Sequence, residues 1–493
     1  MGHDIRNYIA GEWVSTATDR MVPNVNPANT DDILGQVPLQ DRETARKAIA
    51  AAREALPAWR ATPAPKRGAI LFEAFRVLQS RADELARVMT REEGKVLGEA
   101  RGEVTKSLNV LEFMAGEGRR LPGQTLPSEM PSTFAYTLRD PLGVVALITP
   151  WNFPVAIPVW KIAPALVTGN TIVFKPATLT PWTAEIVVQA FVEAGLPPGV
   201  LNFITGAGGK VGEELISNPE IKAVSFTGSN EVGMHLNEVA ARTGKKVQCE
   251  MGGKNPVVVL RDADLDLAAE GIFQGAFGST GQRCTATSRV VVEGKVAQAL
   301  TAKILERVDR ITVGDGLKEG VTMGPSVDAS QMETVLGYLE VARKEGARFL
   351  RGGGRLTEGA LAKGFFIAPT VLGGVTPQMT VAKEELFGPA LSILEASDFD
   401  EALQIANDVR FGLSASIYTS DVTRSFQFIE GIEVGIVHVN SPTVGGEAQL
   451  PFGGVKETGI GSREQGSTAI DFYTELKTVY IDYTGKARDT KIY

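Results

Sequence analysis

Hydrophobic and polar positions follow two rhythms along this chain, and the rhythm changes near residue 140. Before that point, apolar residues recur at spacings of three and four, which is the period of an amphipathic helix. This predicted helical stripe consists of Leu71, Phe75, Leu78, Ala82, Leu85 and Met89. After residue 140, short apolar runs end in small or turn residues and are followed by helical stretches, at intervals of about thirty residues. Strand, helix and strand in that order predict an α/β fold with a parallel sheet.

The predicted strands and helices fall into three sets along the chain. The first set has strands at 144–148, 171–174, 200–204 and 223–226, with helices at 184–193 and 231–241. The second has strands at 256–260 and 289–292 and a helix at 297–308, and the third runs from 390 to 439. Ligands bind beyond the carboxyl ends of parallel strands, so the motifs at those ends are the candidates for chemistry.

Length and composition indicate a globular protein of two or three domains. The chain has 493 residues, which is too many for one ordinary core, and it is 43% hydrophobic and 22% charged. The formal net charge of −8 argues against a nucleic-acid partner. The tail from Ala469 alternates apolar and polar residues, which predicts a terminal strand able to pair with another subunit's sheet.

Cysteine and histidine are scarce, and this limits both location and chemistry. Two cysteines and three histidines exclude a disulfide scaffold and a histidine-rich metal site. No apolar run approaches the length of a membrane span, and the N-terminus lacks a signal core. We therefore expect a cytoplasmic protein with no membrane or nucleic-acid partner and no metal.

Cys284 is the candidate nucleophile because it follows a run of small residues that gives a ligand close access. A lone cysteine is more often a small buried hydrophobe, and Cys249 fits that description better. Glu250 is a candidate base, since a carboxylate can activate the water that hydrolyses a thioester. A surface role for Glu250 is the alternative.

Three further motifs follow predicted strands. Asn152 lies in a loop stiffened by two prolines, where its amide either stabilises an oxyanion or caps the next helix. Gly228 and Ser229 open a helix, so they either bind phosphate or form an ordinary helix cap. Lys175 either reaches a ribose or phosphate or is simply solvated. The usual glycine-rich dinucleotide fingerprint is absent.

Together these motifs resemble the aldehyde dehydrogenase superfamily over about residues 8–483. The motifs that carry the resemblance are 149–154, 174–177, 226–229, 250–253, 281–285, 384–389 and 451–454. The resemblance implies a Rossmann-type cofactor domain of residues 1–119 and 140–250 and an α/β catalytic domain of residues 251–460. It also implies a small β oligomerisation arm of residues 120–139 with a tail of residues 461–493, in a homodimer or homotetramer.

The resemblance also implies a role for each matching residue, with NAD or NADP as cofactor. Cys284 would be the nucleophile, Asn152 an oxyanion donor and Glu250 the base that releases the acid from a thioester. The implied cofactor-binding residues are Thr149, Trp151, Lys175, Thr178, Gly208, Gly228, Ser229, Glu385 and Phe387. Related enzymes that prefer NAD often carry Glu where this chain has Thr178, so NADP should be accepted.

The implied substrate is an aldehyde that carries a carboxylate at its far end. The chain resembles 2-oxoglutarate semialdehyde (2,5-dioxopentanoate) dehydrogenases, with succinate semialdehyde as the next candidate and a broad range of aldehydes as the third. Arg283 would clamp the carboxylate unless it turns into a structural ion pair. The substrate-binding residues expected are Phe153, Ile157, Trp160, Arg283, Thr285 and Phe452.

Two other readings stay open. In CoA-acylating relatives CoA takes the acyl group, and that branch commonly lacks a base at the position of Glu250. A non-catalytic descendant would have lost Cys284, Asn152 or Glu250, and all three residues are present.

Overall fold

The computed structural model describes residues 2–15 and 20–487. The end of the predicted tail, residues 488–493, lies outside the described residues. The strands are β1 (Asn7–Ile9), β2 (Glu12–Val14), β3 (Met21–Val25), β4 (Ile33–Pro38), β5 (Thr125–Pro127), β6 (Thr133–Pro141), β7 (Val144–Ile148), β8 (Thr171–Lys175), β9 (Leu201–Phe203), β10 (Ile221–Thr227), β11 (Lys246–Glu250), β12 (Asn255–Val259), β13 (Thr287–Glu293), β14 (Arg348–Arg351), β15 (Thr370–Gly373), β16 (Ala390–Ala396), β17 (Phe411–Gly412), β18 (Ser414–Tyr418), β19 (Ile436–Val439), β20 (Val455–Lys456), β21 (Gly459–Ile460) and β22 (Thr474–Asp482).

The α-helices follow one another over residues 42–117 and alternate with the strands after residue 140. They are α1 (Arg42–Ala61), α2 (Ala64–Ser80), α3 (Ala82–Glu93), α4 (Leu97–Glu117), α5 (Ala156–Thr168), α6 (Pro181–Glu193), α7 (Glu213–Ser217), α8 (Asn230–Thr243), α9 (Leu265–Phe277), α10 (Gly294–Val308), α11 (Ala329–Lys344), α12 (Thr380–Lys383), α13 (Phe399–Asn407), α14 (Val422–Gly431) and α15 (Thr468–Tyr473).

The first large sheet has eight strands in the order β2-β1-β9-β8-β7-β10-β11-β21. Strands β9, β8, β7, β10 and β11 run parallel, whereas β1, β2 and β21 pair antiparallel at the edges. Every residue of β7 and β8 is buried, as expected for parallel strands covered on both faces. Helix α5 is buried along its whole length, which explains its apolar character on all sides.

The second large sheet has seven strands in the order β14-β15-β16-β13-β12-β18-β19, and it is parallel except at β14. Each face is covered by helices, and the two resulting cores are distinct from the two cores of the first sheet. The α/β prediction is therefore confirmed, and the predicted strands of all three sets are present.

A separate three-stranded sheet has the order β22-β6-β5. Strand β22 pairs antiparallel with β6 of the same chain, from Thr474 opposite Pro141 to Asp482 opposite Thr133. The prediction that the alternating tail begins at Ala469 was wrong, because Thr468–Tyr473 forms helix α15 and buries Ile470 and Phe472. Strand pairing starts at Thr474, directly after this helix.

The predicted helical stripe spans two helices rather than one. Helix α2 ends at Ser80, and α3 begins at Ala82. Arg81 bridges them, since its N–H donates to the carbonyls of α2 and its own carbonyl accepts from Leu85. The stripe therefore stays continuous, and Leu71, Leu78, Leu85 and Met89 are fully buried. Within the described residues, none of the helices has the combined length and apolarity needed to cross a membrane.

Candidate active site

A cavity of about 270 Å³ lies at the carboxyl ends of β7, β10 and β11, against the second sheet. Loops from both large sheets build its wall, so no single stretch of sequence forms it. Its lining residues are Pro150, Trp151, Asn152, Ile157, Thr227, Gly228, Ser229, Met251, Gly252, Cys284, Gln331, Thr334, Glu385, Leu386 and Phe387. The fold thus brings together eight of the predicted site residues: Trp151, Asn152, Ile157, Gly228, Ser229, Cys284, Glu385 and Phe387.

The loop that carries Cys284 is held in a strained conformation. Ser279, Thr280 and Gly281 have φ of 49°, 57° and 68°, and a left-handed conformation is costly for residues other than glycine. Gly281 has no alternative, since a Cβ there would overlap the carbonyl oxygen of Gly388. Hydrogen bonds fix the loop from outside, as when the Ser279 N–H donates to Glu99 Oε1 at 2.7 Å. The thiol is therefore presented to the cavity by a preorganised loop.

The surroundings of Cys284 favour its neutral thiol. Burial raises the pKa of Cys284 to about 12, and the negative charges of Glu385 and Glu250 act in the same direction. The charge of Lys106 opposes them. Because the thiolate is the nucleophile, this cysteine needs a base or an added positive charge before it can react.

Asn152 lies beside the Cys284 loop with its side chain buried. Its Nδ2 donates to the backbone carbonyl of Gln282 at 3.0 Å, and its own backbone carbonyl accepts from Lys95 Nζ at 2.7 Å. An amide group has two N–H donors, so one remains for a ligand in the cavity. This geometry suits an oxyanion donor.

Glu250 is buried but does not line the cavity. Its Oε2 accepts from the Gly454 N–H at 3.1 Å, on the side where Lys161 pairs with Glu464. Burial and the charge of Glu464 raise the pKa of Glu250 well above its usual value. A carboxyl group with this pKa is a better proton acceptor than an ordinary glutamate.

Residues at the carboxyl ends of β7, β8 and β10 suit an anionic, hydroxyl-rich ligand, although Thr149 and Lys175 do not line the cavity. Gly228 and Ser229 immediately precede α8, whose N-terminal N–H groups favour negative charge. The hydroxyl groups of Thr149 and Thr227 are buried and have no partner within the described residues. Lys175 is buried, donates to the Pro176 carbonyl at 3.3 Å, and has its pKa lowered by burial to about 8.

Two other predicted cofactor residues lie farther out. Thr178 is half-buried three residues after Lys175, beyond the end of β8. Gly208 is exposed in the first turn of a short π-helix, Gly208–Gly212, after β9. Neither residue lines the 270 Å³ cavity.

Glu385 and Phe387 occupy the opposite wall. Glu385 Oε1 accepts from the Gly253 N–H at 2.9 Å, and burial raises the pKa of Glu385 to about 7. Phe387 packs edge-on against Trp151 with ring centres 5.4 Å apart. Gln331 donates to the Phe387 carbonyl at 2.9 Å and so holds this wall in place.

Arg283 points away from the cavity and forms an ion pair, which is the alternative to the carboxylate clamp. Its Nε donates to Ser279 Oγ at 3.0 Å, and its Nη2 lies 3.4 Å from Glu99 Oε1. It lines a different cavity with Glu99 and Phe277. A guanidinium already paired with a carboxylate is poorly placed to clamp a second one.

The remaining predicted substrate residues lie on the other side of Asn152. Trp160 and Phe452 contact each other with ring centres 5.4 Å apart. Phe153 packs under the ammonium of Lys95, at 4.3 Å from its ring centre. Thr285 is buried, and its carbonyl accepts from Thr443.

Sequence reasoning missed Lys106, Gln331 and the buried pair of Lys95 with Glu103. Lys106 and Gln331 sit on helices remote in sequence from every motif. The pair has no local sequence signal, because Lys95 lies before α4 and Glu103 within it, and such residues are rarely buried unless they are paired.

Comparisons with known proteins agree with this geometry. The model of the aldehyde dehydrogenase family matches residues 13–479. The α-ketoglutaric semialdehyde dehydrogenase of Bacillus subtilis is 47% identical over 96% of this chain and 97% of its own length. The NADP⁺-dependent succinate-semialdehyde dehydrogenase of Escherichia coli is 41% identical over 96% of this chain and 97% of its own length. The crystal structure of an NAD-dependent aldehyde dehydrogenase from Sinorhizobium meliloti has a TM-score of 0.95 at 36% identity, covering 99% of this chain and 96% of that one.

The chain belongs to the aldehyde dehydrogenase family. It is an enzyme that oxidises aldehydes with NAD or NADP. The hypothesis of a non-catalytic descendant is therefore wrong.

Proposed function

We propose that the enzyme oxidises 2-oxoglutarate semialdehyde to 2-oxoglutarate. The identity of 47% with the Bacillus subtilis enzyme named for this substrate supports the proposal. The observation that carries the chemistry is the meeting of Cys284 and Asn152 with Glu385 and Phe387 around one cavity. A nucleophile, an oxyanion donor and a cofactor wall are the parts that aldehyde oxidation requires.

In the proposed reaction the Cys284 thiol gives its proton to water, the thiolate attacks the aldehyde carbon, and the free N–H of Asn152 stabilises the oxyanion. A bound nicotinamide cofactor would supply the acceptor for the hydride. The acyl group is then a thioester on Cys284, and Glu250 activates the water that hydrolyses it. Since Glu250 is turned toward Gly454, its side chain must rotate toward Cys284 for this step.

The residues of this chain fit the cofactor. Support comes from the threonine hydroxyls that have no partner in the described part of the chain, from the poorly paired Lys175 ammonium and from the N-terminus of α8, since such groups can bind ribose hydroxyls and phosphate. Glu385 would hold the nicotinamide ribose, and Phe387 would pack beside the nicotinamide. Thr178 presents no carboxylate to repel a 2′-phosphate, so we propose that NADP is used at least as well as NAD.

Hydrolysis rather than transfer to CoA completes the proposed reaction, because Glu250 supplies the base. The test is acid formation in the absence of CoA. A requirement for CoA would contradict the proposal.

Succinate semialdehyde is the second candidate, supported by the 41% identity with the Escherichia coli enzyme. A panel of 2-oxoglutarate semialdehyde, succinate semialdehyde, glutaraldehyde, hexanal and benzaldehyde, compared by kcat/KM, tests both. We expect the two carboxylated aldehydes to lead. If hexanal or benzaldehyde led instead, a carboxylated substrate would be excluded.

We also propose a homodimer or homotetramer that works in a reducing compartment such as the cytoplasm. Both cysteines are free, which suits such a compartment. The domain assignment stays a proposal as well. It is supported by the first sheet, drawn from residues 7–250 with 459–460, and by the second, drawn from residues 255–439.

A further inference from the structure

Lys106 on helix α4 is an unassigned cation on the substrate side of the site. Its Nζ lies 5.2 Å from the ring centre of Trp160 and 6.0 Å from that of Phe452, the two aromatic residues expected to contact substrate. It donates to the carbonyl of Gly446 at 3.0 Å. It also lines a surface cavity of about 550 Å³ between α4 and the 446–449 loop. The ammonium group therefore lies between solvent and the aromatic residues.

The charge of Lys106 also acts on Cys284. It lowers the pKa of the Cys284 thiol, and a negative charge on Cys284 in turn raises the pKa of Lys106 against the larger effect of burial. The lysine and the nucleophile therefore belong to one electrostatic neighbourhood. A molecule that reaches Cys284 past Trp160 and Phe452 passes this ammonium.

Lys106 has spare binding capacity. An ammonium has three donors, and one hydrogen bond, to Gly446, is seen. Among residues 2–15 and 20–487 no carboxylate oxygen lies within 4.0 Å of it. Glu103, on the same helix, is engaged by Lys95 at 2.5 Å. Glu112 and Glu447 line the 550 Å³ cavity with Lys106 but do not pair with it.

The guanidinium of Arg283 is the competing cation. Its central carbon lies 6.0 Å from the ring centre of Phe153, but unlike the Lys106 ammonium it is paired with a carboxylate, that of Glu99. A half-buried cation without a carboxylate partner gains more from a substrate carboxylate than one already paired.

We propose that Lys106 is the residue that binds the distal carboxylate of the substrate, with the aldehyde end directed at Cys284. This inference rests on the proposed function, because it requires a carboxylated aldehyde. The chain of the substrate would lie against Trp160 and Phe452, and its carboxylate would take the free donors of the Lys106 ammonium. Preference for semialdehydes would then come from helix α4 rather than from the loop of Cys284.

The test compares succinate semialdehyde with its neutral methyl ester, methyl 4-oxobutanoate, and includes 2-oxoglutarate semialdehyde. In the Lys106→Met variant, kcat/KM for the carboxylated aldehydes should fall by roughly 10- to 150-fold, the range for losing a hydrogen bond to a charged group. The loss should appear mainly in KM. The methyl ester should lose only the smaller factor that both substrates share, which follows from the loss of the Lys106 charge near Cys284.

Two further variants separate recognition from structural support. Lys106→Arg should restore most of the preference for the carboxylate. Lys106→Glu should disfavour carboxylated aldehydes further and improve the relative rate with the cationic 4-trimethylammoniobutanal. Lys245→Met is the matched control, since Lys245 is also half-buried and donates to two backbone carbonyls, those of Ile216 and Asn218. It should keep the preference of the wild type.

The outcomes distinguish the inference from the proposed function. If the wild type does not prefer the carboxylate over its ester, the carboxylated substrate itself is wrong. Suppose instead that the wild type prefers the carboxylate. If Lys106→Met then keeps that preference in full, or loses kcat/KM by the same factor for the carboxylate and the ester, Lys106 is not the recognition residue. If Arg283→Gln selectively lowered kcat/KM for the carboxylated aldehydes, the carboxylate clamp would belong to Arg283 and the inference would be overturned.

Discussion

At the scale of single residues, the two cysteines differ in where they point. Cys284 lines the cavity, whereas Cys249 is fully buried in β11 and donates weakly to the Gly233 carbonyl. We expect Cys284→Ala to lose at least about 10³-fold in kcat/KM, since the other thiol, that of Cys249, does not line the cavity. Cys249→Ala should keep activity and cost about 1 kcal/mol of unfolding free energy. Loss of activity in Cys249→Ala, with Cys284→Ala active, would reverse the assignment.

Glu250 should control release of the acid rather than hydride transfer. Its pKa is raised, so it stays protonated to a higher pH than an ordinary glutamate, and its basic form appears only as the pH rises. We therefore expect kcat to increase with pH until Glu250 has lost its proton. Glu250→Gln should give a burst of reduced cofactor followed by slow turnover, and kcat should lose this ionisation. A variant that binds cofactor but shows no burst would give Glu250 another role.

Cofactor choice should depend on the position of Thr178. A glutamate there would bond ribose hydroxyls and repel the 2′-phosphate of NADP. Thr178→Glu should therefore lower kcat/KM for NADP by at least tenfold relative to NAD, about 1.4 kcal/mol of discrimination. Comparing both cofactors in both proteins measures this. A large NAD preference in the wild type would contradict the proposed use of NADP.

At the scale of elements, helix α4 positions the start of α5 and the loop of Asn152. Glu103 Oε1 accepts from the N–H groups of Val155 and Ala156 at 2.8 and 3.0 Å, which caps a helix that lacks a side-chain cap of its own. Lys95 joins Glu103 to the Asn152 carbonyl, with Nζ–O distances of 2.5 and 2.7 Å. Both charged side chains are 1% exposed, so neither is solvated if the other is lost.

We expect Lys95→Met to destabilise the protein by about 3–5 kcal/mol, since it leaves a buried carboxylate uncompensated. The matched control is Lys47→Met, which breaks the exposed ion pair with Glu43, whose side chains are 68% and 72% exposed. Its effect should stay under about 0.5 kcal/mol. Denaturant unfolding measures both. Equal effects would mean that the Lys95 pair does not stabilise α4 against α5.

At the scale of the whole molecule, the three-stranded sheet exposes apolar side chains to solvent. Such exposure does not stabilise a monomer. Leu126 and Tyr480 both lie beside Ala135, so they share one face of the sheet with Leu476. These three side chains are 51%, 65% and 59% exposed. An apolar face of this kind is typical of an interface.

We expect Leu476→Lys combined with Tyr480→Lys to weaken the proposed oligomer, because association would then bury two charges. Sedimentation velocity at equal protein concentration measures the change in mass. Lys477→Ala, at an exposed neighbouring position, is the control. A wild type that sediments as a monomer would rule out the proposed oligomer.

The sequence alone determined the α/β class, the strands after residue 140 and the motifs that end them. Those properties depend on local periodicity and on residue types within a few positions. It also identified Cys284, Asn152 and Glu385 as candidates, because each lies in a recognisable local motif.

Only the tertiary structure decided which candidates share a cavity and which way their side chains point. Arg283 is adjacent to Cys284 in sequence, yet the left-handed turn before it directs its guanidinium to Glu99 on α4. Lys106 is 178 residues from Cys284, yet the packing of α4 beside α5 places it over Trp160. The tail strand β22 pairs with β6 of its own chain, and it begins directly after the buried helix α15. Such contacts depend on the packing of distant elements, which local periodicity does not encode.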